Sequence, residues 1–191
     1  CTAAGDRLSL IEADALESPI WEFGTAPRRI IANLPYNIAT TLLIRWLAHA
    51  TAFESMTLMF QREVAERITA RPGDPAYGRL SVLTGFYADA EILFDVPAEA
   101  FVPAPKIMST VVQIVPLAQP RYDCSAQALE LITRTAFGQR RKMLRSSLKK
   151  INGEQLLAAA GIDPEARPQQ LDIESFCKLA RQFEATGTAA S

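Results

Sequence analysis

Short apolar runs and segments of helical periodicity alternate along the first half of the chain. The apolar runs cover residues 8–11, 29–33 and 55–60, and helical spacing of apolar side chains occurs at 39–48 and 63–70. Strands that alternate with helices are typical of a parallel sheet with crossover connections. We therefore predict a β-β-α-β-α arrangement in which functional groups lie at the carboxyl ends of the strands.

The second half changes from strand patterns to helix patterns. Residues 80–87 and 91–96 look like adjacent strands, although the first of them could equally begin as a helix, and a proline-spaced loop then leads to a β-branched run at 108–115. After that run the periodicity is helical. The helical segments are 125–137, 141–150, 153–160 and 172–183. We therefore expect two domains, an α/β domain at 1–118 and a small all-helical domain at 119–191.

The composition is that of an ordinary globular protein. The 191 residues include 20 Lys plus Arg and 21 Asp plus Glu, which gives a net charge of −1, and 49% of them are hydrophobic. These values exclude a highly basic protein that coats nucleic acid, and they exclude a disordered chain. The longest uncharged stretch, 30–44, is shorter than the roughly 20 apolar residues of a membrane span. Three widely separated cysteines predict a reducing, cytoplasmic location with neither a disulfide framework nor a metal site.

The positive charge is concentrated in one part of the helical region. Seven Lys and Arg residues and no acidic residue lie between Leu131 and Gly153. They are Arg134, Arg140, Arg141, Lys142, Arg145, Lys149 and Lys150. Such a run is often only a solvated helix face. Here Arg140 and Arg141 follow a Gly-Gln break and are expected to begin a helix, which favours a phosphate-contacting patch for structured RNA.

The segment Asn33-Leu34-Pro35-Tyr36 follows a hydrophobic strand and suits the alkylation of a base amine. The side-chain oxygen of Asn33 and the backbone carbonyl of Leu34 can each accept an amine N–H, while Pro35 fixes the turn and donates no competing N–H. Tyr36 offers a flat face for a flipped base. The alternative is a strand-ending turn in which Asn and Pro only reverse the chain.

This segment and five others, in the same order, resemble the ribosomal RNA adenine dimethyltransferases, relatives of the Erm resistance methyltransferases. The matching segments are 11–16, 33–40, 60–67, 101–109, 137–145 and 167–171. The sequence departs from the family pattern at Ala13, where glycine is usual, and at Met108, where aspartate is common. The likeness covers nearly the whole chain, and together the segments are highly specific.

The resemblance implies a role for each matching position. Asp14, with Ala15, would bind the adenine of S-adenosylmethionine, and Asn33 would also border that cofactor. Asn33, with Leu34 and Pro35 supplying backbone, would orient the exocyclic amine of the target adenine. Without the resemblance, the better interpretation of Asp14 is an Asx turn or a helix cap.

Three further side chains complete the implied site. Tyr36 and Phe101 would sandwich the flipped base, although an aromatic residue such as Phe101 can equally serve as a core plug that anchors its loop. Arg62 would touch the RNA backbone. The only histidine, His49, follows an apolar helix and is expected to be a capping or surface residue rather than a catalyst.

The match begins just before the third strand of the family sheet. The glycine-rich loop after the first family strand and the acidic residue after the second have no counterpart, so about 80 residues of a typical member are absent, which is a domain-sized unit. Family sheets have the strand order 3-2-1-4-5-7-6. Without strands 1 and 2, the strand at 29–33 would become an exposed edge, and the segment before Pro27 would be poorly ordered or would pair non-natively. We therefore expect the isolated chain to bind S-adenosylmethionine weakly or not at all.

The resemblance implies a fold class and a function. The fold is an incomplete Rossmann-like methyltransferase sheet followed by a small helical RNA-binding domain. The implied activity is S-adenosylmethionine-dependent dimethylation of adenosines in small-subunit ribosomal RNA, with the pre-ribosomal small subunit as partner. The alternatives are a non-catalytic RNA-binding assembly factor, an Erm-like enzyme acting on large-subunit RNA, and a DNA adenine methyltransferase. Leu34 argues against the DNA enzyme, whose motif has proline at that position.

Overall fold

A four-stranded mixed sheet organises the first part of the chain. The computed structural model describes residues 8–102 and 107–188. The strands are β1 (Arg29–Asn33), β2 (Ser55–Gln61), β3 (Ala88–Val96) and β4 (Ser109–Pro116). Their spatial order is β1-β2-β4-β3, with β1 and β2 parallel and β4 antiparallel to both of its neighbours. This order is the one expected for strands 4, 5, 7 and 6 of the family sheet.

Seven α-helices accompany these strands within the described residues. They are α1 (Tyr36–Leu47), α2 (Arg62–Thr69), α3 (Arg79–Tyr87), α4 (Ala126–Phe137), α5 (Leu144–Ser147), α6 (Gly153–Ala160) and α7 (Ile173–Thr188). Local chemistry sets several of their ends. The hydroxyl of Ser125 accepts a hydrogen bond from the Ala128 amide at 3.2 Å and caps α4. Gly161 ends α6 in a left-handed conformation with φ 66°.

The helices pack into two hydrophobic cores, one against the sheet and one among the helices themselves. The first packs α1 and α2 against one face of the sheet, where Met56, Leu58 and Phe60 alternate with half-buried residues along β2. The second is built from α3, α4 and the helices after it, with Leu129 and Phe176 fully buried. The boundary at 118/119 stays a prediction, since α3 precedes it in the chain but contributes to the second core.

One edge of the sheet is open among the described residues. β1 is one of the two terminal strands, and its Ile31 is 83% exposed. The opposite face of β2 and β4 is also only partly covered, because Thr57 and Met59 remain half-buried. The predicted exposed edge at 29–33 is therefore confirmed. An unpaired parallel edge presents backbone groups that can pair with a further strand.

The prediction of a strand at 8–11 is wrong. Residues 8–13 have no regular secondary structure, and Leu10 is 86% exposed. An apolar run becomes a strand only where a neighbour supplies ladder hydrogen bonds, and no described strand lies beside this one. The segment before Pro27 is nevertheless ordered in part, because the Ser18 amide donates to the Asp14 carbonyl at 2.9 Å and Trp21 packs on the first core.

Two further predictions of secondary structure need correction. Residues 80–87 belong to helix α3 rather than to a strand, as the alternative interpretation allowed. A fully buried apolar run carries no periodicity that separates the two, and α3 is buried by both cores. Arg140 and Arg141 do not begin a helix. They lie in a turn, and α5 begins only at Leu144, whose amide donates to the Ala166 carbonyl at 2.8 Å.

No helix in the described part of the chain is long and apolar enough to cross a membrane. Within the same residues, no cluster of three or more His, Cys, Asp or Glu side chains could hold a metal ion. Cys124 and Cys177 are free thiols in mutual contact, and a hydrogen bond from Cys177 lowers the pKa of Cys124 below its usual value.

Substitution by alanine is expected to have different effects on stability at two glycines, Gly153 and Gly85. A Cβ on Gly153 would lie 2.5 Å from the Leu148 Cβ and 2.8 Å from the Leu148 carbonyl oxygen, so backbone must move. We expect Gly153→Ala to lower the free energy of unfolding by about 1–3 kcal/mol. A Cβ on Gly85 would meet only side-chain atoms of Ile173, the terminal Cδ1 at 2.6 Å and Cγ1 at 3.9 Å, which a rotation of that side chain can move away, so Gly85→Ala serves as the control with little loss. Urea unfolding of both variants tests this, and equal losses would contradict it.

Candidate active site and RNA interface

The carboxyl ends of β1, β2 and β3 meet the first residue of β4 at one end of the sheet. Asn33, the last residue of β1, pairs with Met59 near the end of β2. Ser109, the first residue of β4, pairs with Gln61 on one side and with Val96, the last residue of β3, on the other. The Asn33 turn, the start of α2 and the loop after β3 therefore leave the sheet together, where ligand sites of α/β sheets are found.

The turn from β1 into α1 leaves two hydrogen-bond acceptors without a partner among the described residues. Leu34 is only 7% exposed and anchors the turn in the first core, whereas the Asn33 side chain points away from that core and is exposed. The Pro35 carbonyl accepts the first amides of α1, those of Ile38 and Ala39, at 3.1 and 3.0 Å. Because the Pro35 carbonyl satisfies these amides, the Leu34 carbonyl is not consumed by the helix. The turn can therefore present two oxygens to an amine.

Tyr36 is held in one orientation by a residue far away in sequence. Its hydroxyl shares a 2.6 Å hydrogen bond with the hydroxyl of Ser109, which is fully buried at the start of β4. Since the ring is only half-buried, one part of it stays available for stacking. Sequence reasoning included Ser109 in a matching segment but assigned it no role, and only the register of β4 reveals this contact.

Phe101 lies on the loop that leaves β3. A 3₁₀ turn at Ala98–Ala100 precedes it, and the Phe101 amide donates to the Ala98 carbonyl at 3.2 Å. Phe101 is half-buried, and the next residue, Val102, is fully exposed. Residues 103–106 of the proline-spaced segment lie outside the described residues. The pairing of Phe101 with Tyr36 around a base stays a prediction.

Arg62 contacts residues at both ends of this loop. Its Nη1 donates to Asp95 Oδ2 at 3.0 Å and lies 3.6 Å from the sulfur of Met108, while its backbone amide donates to the Met108 carbonyl at 3.0 Å. Asp95 is also fixed by the Thr110 hydroxyl at 2.6 Å. A hydrogen bond to Glu66 and the charge of Asp95 raise the pKa of Arg62. The implied RNA contact of Arg62 stays a prediction, but its observed partners, Asp95 and Met108, lie before and after the loop that carries Phe101.

Asp14 and Ala15 lie in an exposed turn rather than at a strand end. Asp14 Oδ1 accepts a hydrogen bond from the Leu16 amide at 2.7 Å, which is the Asx turn weighed above as the alternative. The second carboxylate oxygen of Asp14 has no hydrogen-bond partner in the part of the chain that the structure describes. The turn therefore leaves one acceptor for a ligand amine, and contact with a cofactor stays a prediction.

The basic residues of the helical region are exposed but differ in their contacts. Arg134, Arg141 and Lys142 make no side-chain hydrogen bond to described residues, so their donors are available to a ligand. Arg145 lies 3.5 Å from Glu165, and the Arg140 guanidinium donates to the Pro75 carbonyl. The only histidine of the chain, His49, is exposed and stacks on Trp21 with the ring centroids 3.8 Å apart.

Solved structures share this architecture. A dimethyladenosine transferase from Plasmodium falciparum superposes with a TM-score of 0.79 at 24% identity, covering 98% of this chain and 76% of that protein. The 23S ribosomal RNA methyltransferase ErmE superposes with a TM-score of 0.61 at 23% identity, covering 91% and 71% of the two chains. These likenesses define the fold as the Rossmann-like methyltransferase fold.

The sequence comparisons define the family. The chain belongs to the ribosomal RNA adenine dimethylase family, whose model matches residues 2–185. It is 54% identical over 183 residues to the ribosomal RNA small subunit methyltransferase A of Rhodospirillum rubrum, covering 95% of this chain and 64% of the relative. It is 58% identical over 181 residues to the protein of that name from Bartonella tribocorum, covering 92% and 65%. The chain thus spans about 65% of the length of these relatives.

Proposed function

We propose that this chain supplies the target-base site and the RNA-binding helices of an enzyme that dimethylates adenosines in small-subunit ribosomal RNA. The observation that carries the proposal is the turn at Asn33–Tyr36, where the Asn33 side-chain oxygen and the Leu34 carbonyl have no hydrogen-bond partner among the described residues and the neighbouring Tyr36 ring is held by Ser109. The relatives named above, at 54% and 58% identity, support the choice of small-subunit RNA. The exposed basic residues of the helical region supply phosphate contacts to structured RNA.

The residues at the strand ends position the target base for methyl transfer. The Asn33 and Leu34 oxygens accept the two N–H groups of an adenine amine and thereby direct its nitrogen lone pair. Stacking on Tyr36 holds the base out of its helix. The developing ammonium can release its proton to solvent after transfer, so no general base is needed beforehand. Positioning of the nucleophile supplies most of the rate.

S-adenosylmethionine is the proposed methyl donor, since its sulfonium supplies an electrophilic methyl group. The residues that would hold it are Asp14, Ala15 and Asn33. Asp14 fits in part, because one carboxylate oxygen is used by the Asx turn and the other can accept from an adenine amine. The open edge of β1 beside Asn33 leaves room for further cofactor-binding structure.

A second candidate function is a non-catalytic RNA-binding factor for ribosome assembly. It is favoured by the separation of functions along the chain, because the basic residues lie on α4, on α5 and in the turns beside them, while Asp14 forms no hydrogen bond to Asn33 or Tyr36 in the described structure. Such a factor would bind small-subunit RNA equally well without transferring a methyl group.

Methyl transfer from labelled S-adenosylmethionine to undermethylated small ribosomal subunits decides between the two functions. The enzyme to test is a chimera, the Rhodospirillum rubrum relative in which this chain replaces the matching region. We expect the chimera to methylate small subunits but not large ones, and the isolated chain to bind RNA without transfer. RNA binding by a folded chimera that transfers nothing would support the assembly factor. Modification of large subunits instead would support the Erm-like alternative.

A further inference from the structure

A cavity of about 300 Å³ lies where α1, α2, the start of α3 and the end of α4 come together. The described residues that line it include three arginines, Arg67, Arg79 and Arg140, and no acidic residue. Its remaining wall is largely apolar, with Ile44 on α1 and Phe137 on α4. A cavity with several guanidinium groups and an apolar wall suits an anion attached to a less polar body, such as the phosphate and sugar of a nucleotide.

The three guanidinium groups keep donors for a ligand. Arg79 Nη2 donates to Glu130 at 2.7 Å, the Arg67 guanidinium pairs with Glu63, and the Arg140 guanidinium donates to a backbone carbonyl. Each contact uses one nitrogen of a group that carries five N–H donors. The Nε of Arg79 is buried and has no partner among the described residues. Because the Arg79 Nε is inaccessible to solvent, an anion can pair with it only if the side chain shifts, and the other guanidinium nitrogens supply the donors.

The cavity lies beside the proposed target-base site. Thr40 and Ile44 line it, and they continue the row of every fourth residue along α1 that begins at Tyr36. Four residues of helix rise about 6 Å, so the cavity begins one turn away from the ring on which the base would stack. The backbone of an RNA strand whose target base stacks on Tyr36 would therefore pass close to this cavity.

We propose that this cavity binds a phosphodiester group of the RNA strand next to the target adenosine. Planar guanidinium groups recognise phosphate oxygens with paired hydrogen bonds, and Arg67 and Arg79 approach from helices on either side of Gly78 and the loop before it. The identity of the strand rests on the proposed function, whereas the phosphate site itself rests on the cavity. The proposed phosphate site gives Arg140 a role distinct from that of Arg141 and Lys142, which have no contact that directs them into the cavity.

Gly78 offers a substitution that changes the charge of the cavity without disturbing the fold. It lines the cavity and precedes the first residue of α3, with an extended φ of −167°. A Cβ there would meet only the Ala76 carbonyl oxygen at 3.8 Å, which is ordinary contact. Both aspartate and serine are good residues at the position that caps a helix, so Gly78→Asp and Gly78→Ser should fold equally well. Only the aspartate opposes or neutralises the arginines.

The test measures binding of a short fluorescein-labelled single-stranded RNA to the chain across a range of salt concentrations. We expect Gly78→Asp to weaken binding about tenfold and to reduce the salt slope by about 0.7, the loss of one phosphate contact on a single strand. Gly78→Ser should bind within about twofold of the original chain. Gln127→Glu adds the same charge at the opposite end of α4 and should also bind RNA within about twofold of the original chain.

The outcomes separate this proposal from the proposed function. Equal binding by Gly78→Asp and Gly78→Ser, or an equal loss in Gln127→Glu, would overturn the phosphate site. If Gly78→Asp alone weakens RNA binding while the chimera fails to methylate small subunits, the phosphate site stands and the methyltransferase function fails. In an active chimera, Gly78→Asp should raise KM for the ribosomal substrate about tenfold and change kcat little, since the contact binds ground state and transition state alike.

Discussion

Alanine at position 33 is expected to abolish methyl transfer by the chimera while leaving RNA binding unchanged. The exposed Asn33 oxygen is one of the two acceptors that orient the adenine amine, and the neighbouring Leu34 carbonyl alone cannot fix the nitrogen lone pair. Misplacement of a reacting group by about 1 Å can lower a rate a hundredfold, so we expect kcat to fall at least about a hundredfold in Asn33→Ala. Single-turnover transfer to undermethylated small subunits measures this.

Asn37→Ala is the matched control for this variant. Asn37 is the same residue type, is also exposed on the first turn of α1, and forms no side-chain hydrogen bond to described residues. Its loss should change kcat by less than about threefold, the range of an ordinary surface substitution. Asn33→Ala with a normal kcat would contradict the catalytic assignment. Loss of RNA binding together with activity would show that Asn33 supports the strand rather than the reaction.

The strand-end site could be predicted from sequence because its parts are local. Asn33, Leu34, Pro35 and Tyr36 are contiguous, and an apolar run that stops at a proline indicates both the strand end and the turn. The same holds for the strand order, which follows once the run at 29–33 is matched to the fourth family strand. Periodicity and turn chemistry over a few residues carry this information.

The remaining features depend on contacts between distant residues. Ser109 pairs with Tyr36 across 73 positions, and Arg62 reaches Asp95 across 33 positions, so no local pattern indicates either contact. The run at 80–87 is apolar all round because two cores bury it, and such a run does not distinguish helix from strand. The run at 8–11 has strand composition, but the fold offers it no adjacent strand. These outcomes are decided by the tertiary structure.

Substitution of Arg62 separates a loop-positioning role from direct RNA contact. Arg62 contacts Asp95 before the loop and Met108 after it, so its removal frees both ends of the segment that carries Phe101. We expect Arg62→Ala in the chimera to lower kcat by roughly ten- to a hundredfold, because the Phe101 side of the base site loses its fixed position. KM for the ribosomal substrate and the salt dependence of RNA binding should change little. Arg62→Lys, which keeps the charge but not the branched contacts, should recover only part of kcat.

Asp95→Asn makes this prediction decisive, since Asp95 bears the wrong charge to bind phosphate. If Arg62 positions the loop, removing the carboxylate charge should lower kcat in the same way as Arg62→Ala, and the double variant should be little worse than either single one. If Arg62 instead binds RNA, Asp95→Asn should free its guanidinium and strengthen binding, while Arg62→Ala should raise KM and reduce the salt slope by about one. The two roles therefore predict opposite effects of Asp95→Asn, and steady-state kinetics with salt-dependent RNA binding distinguishes them.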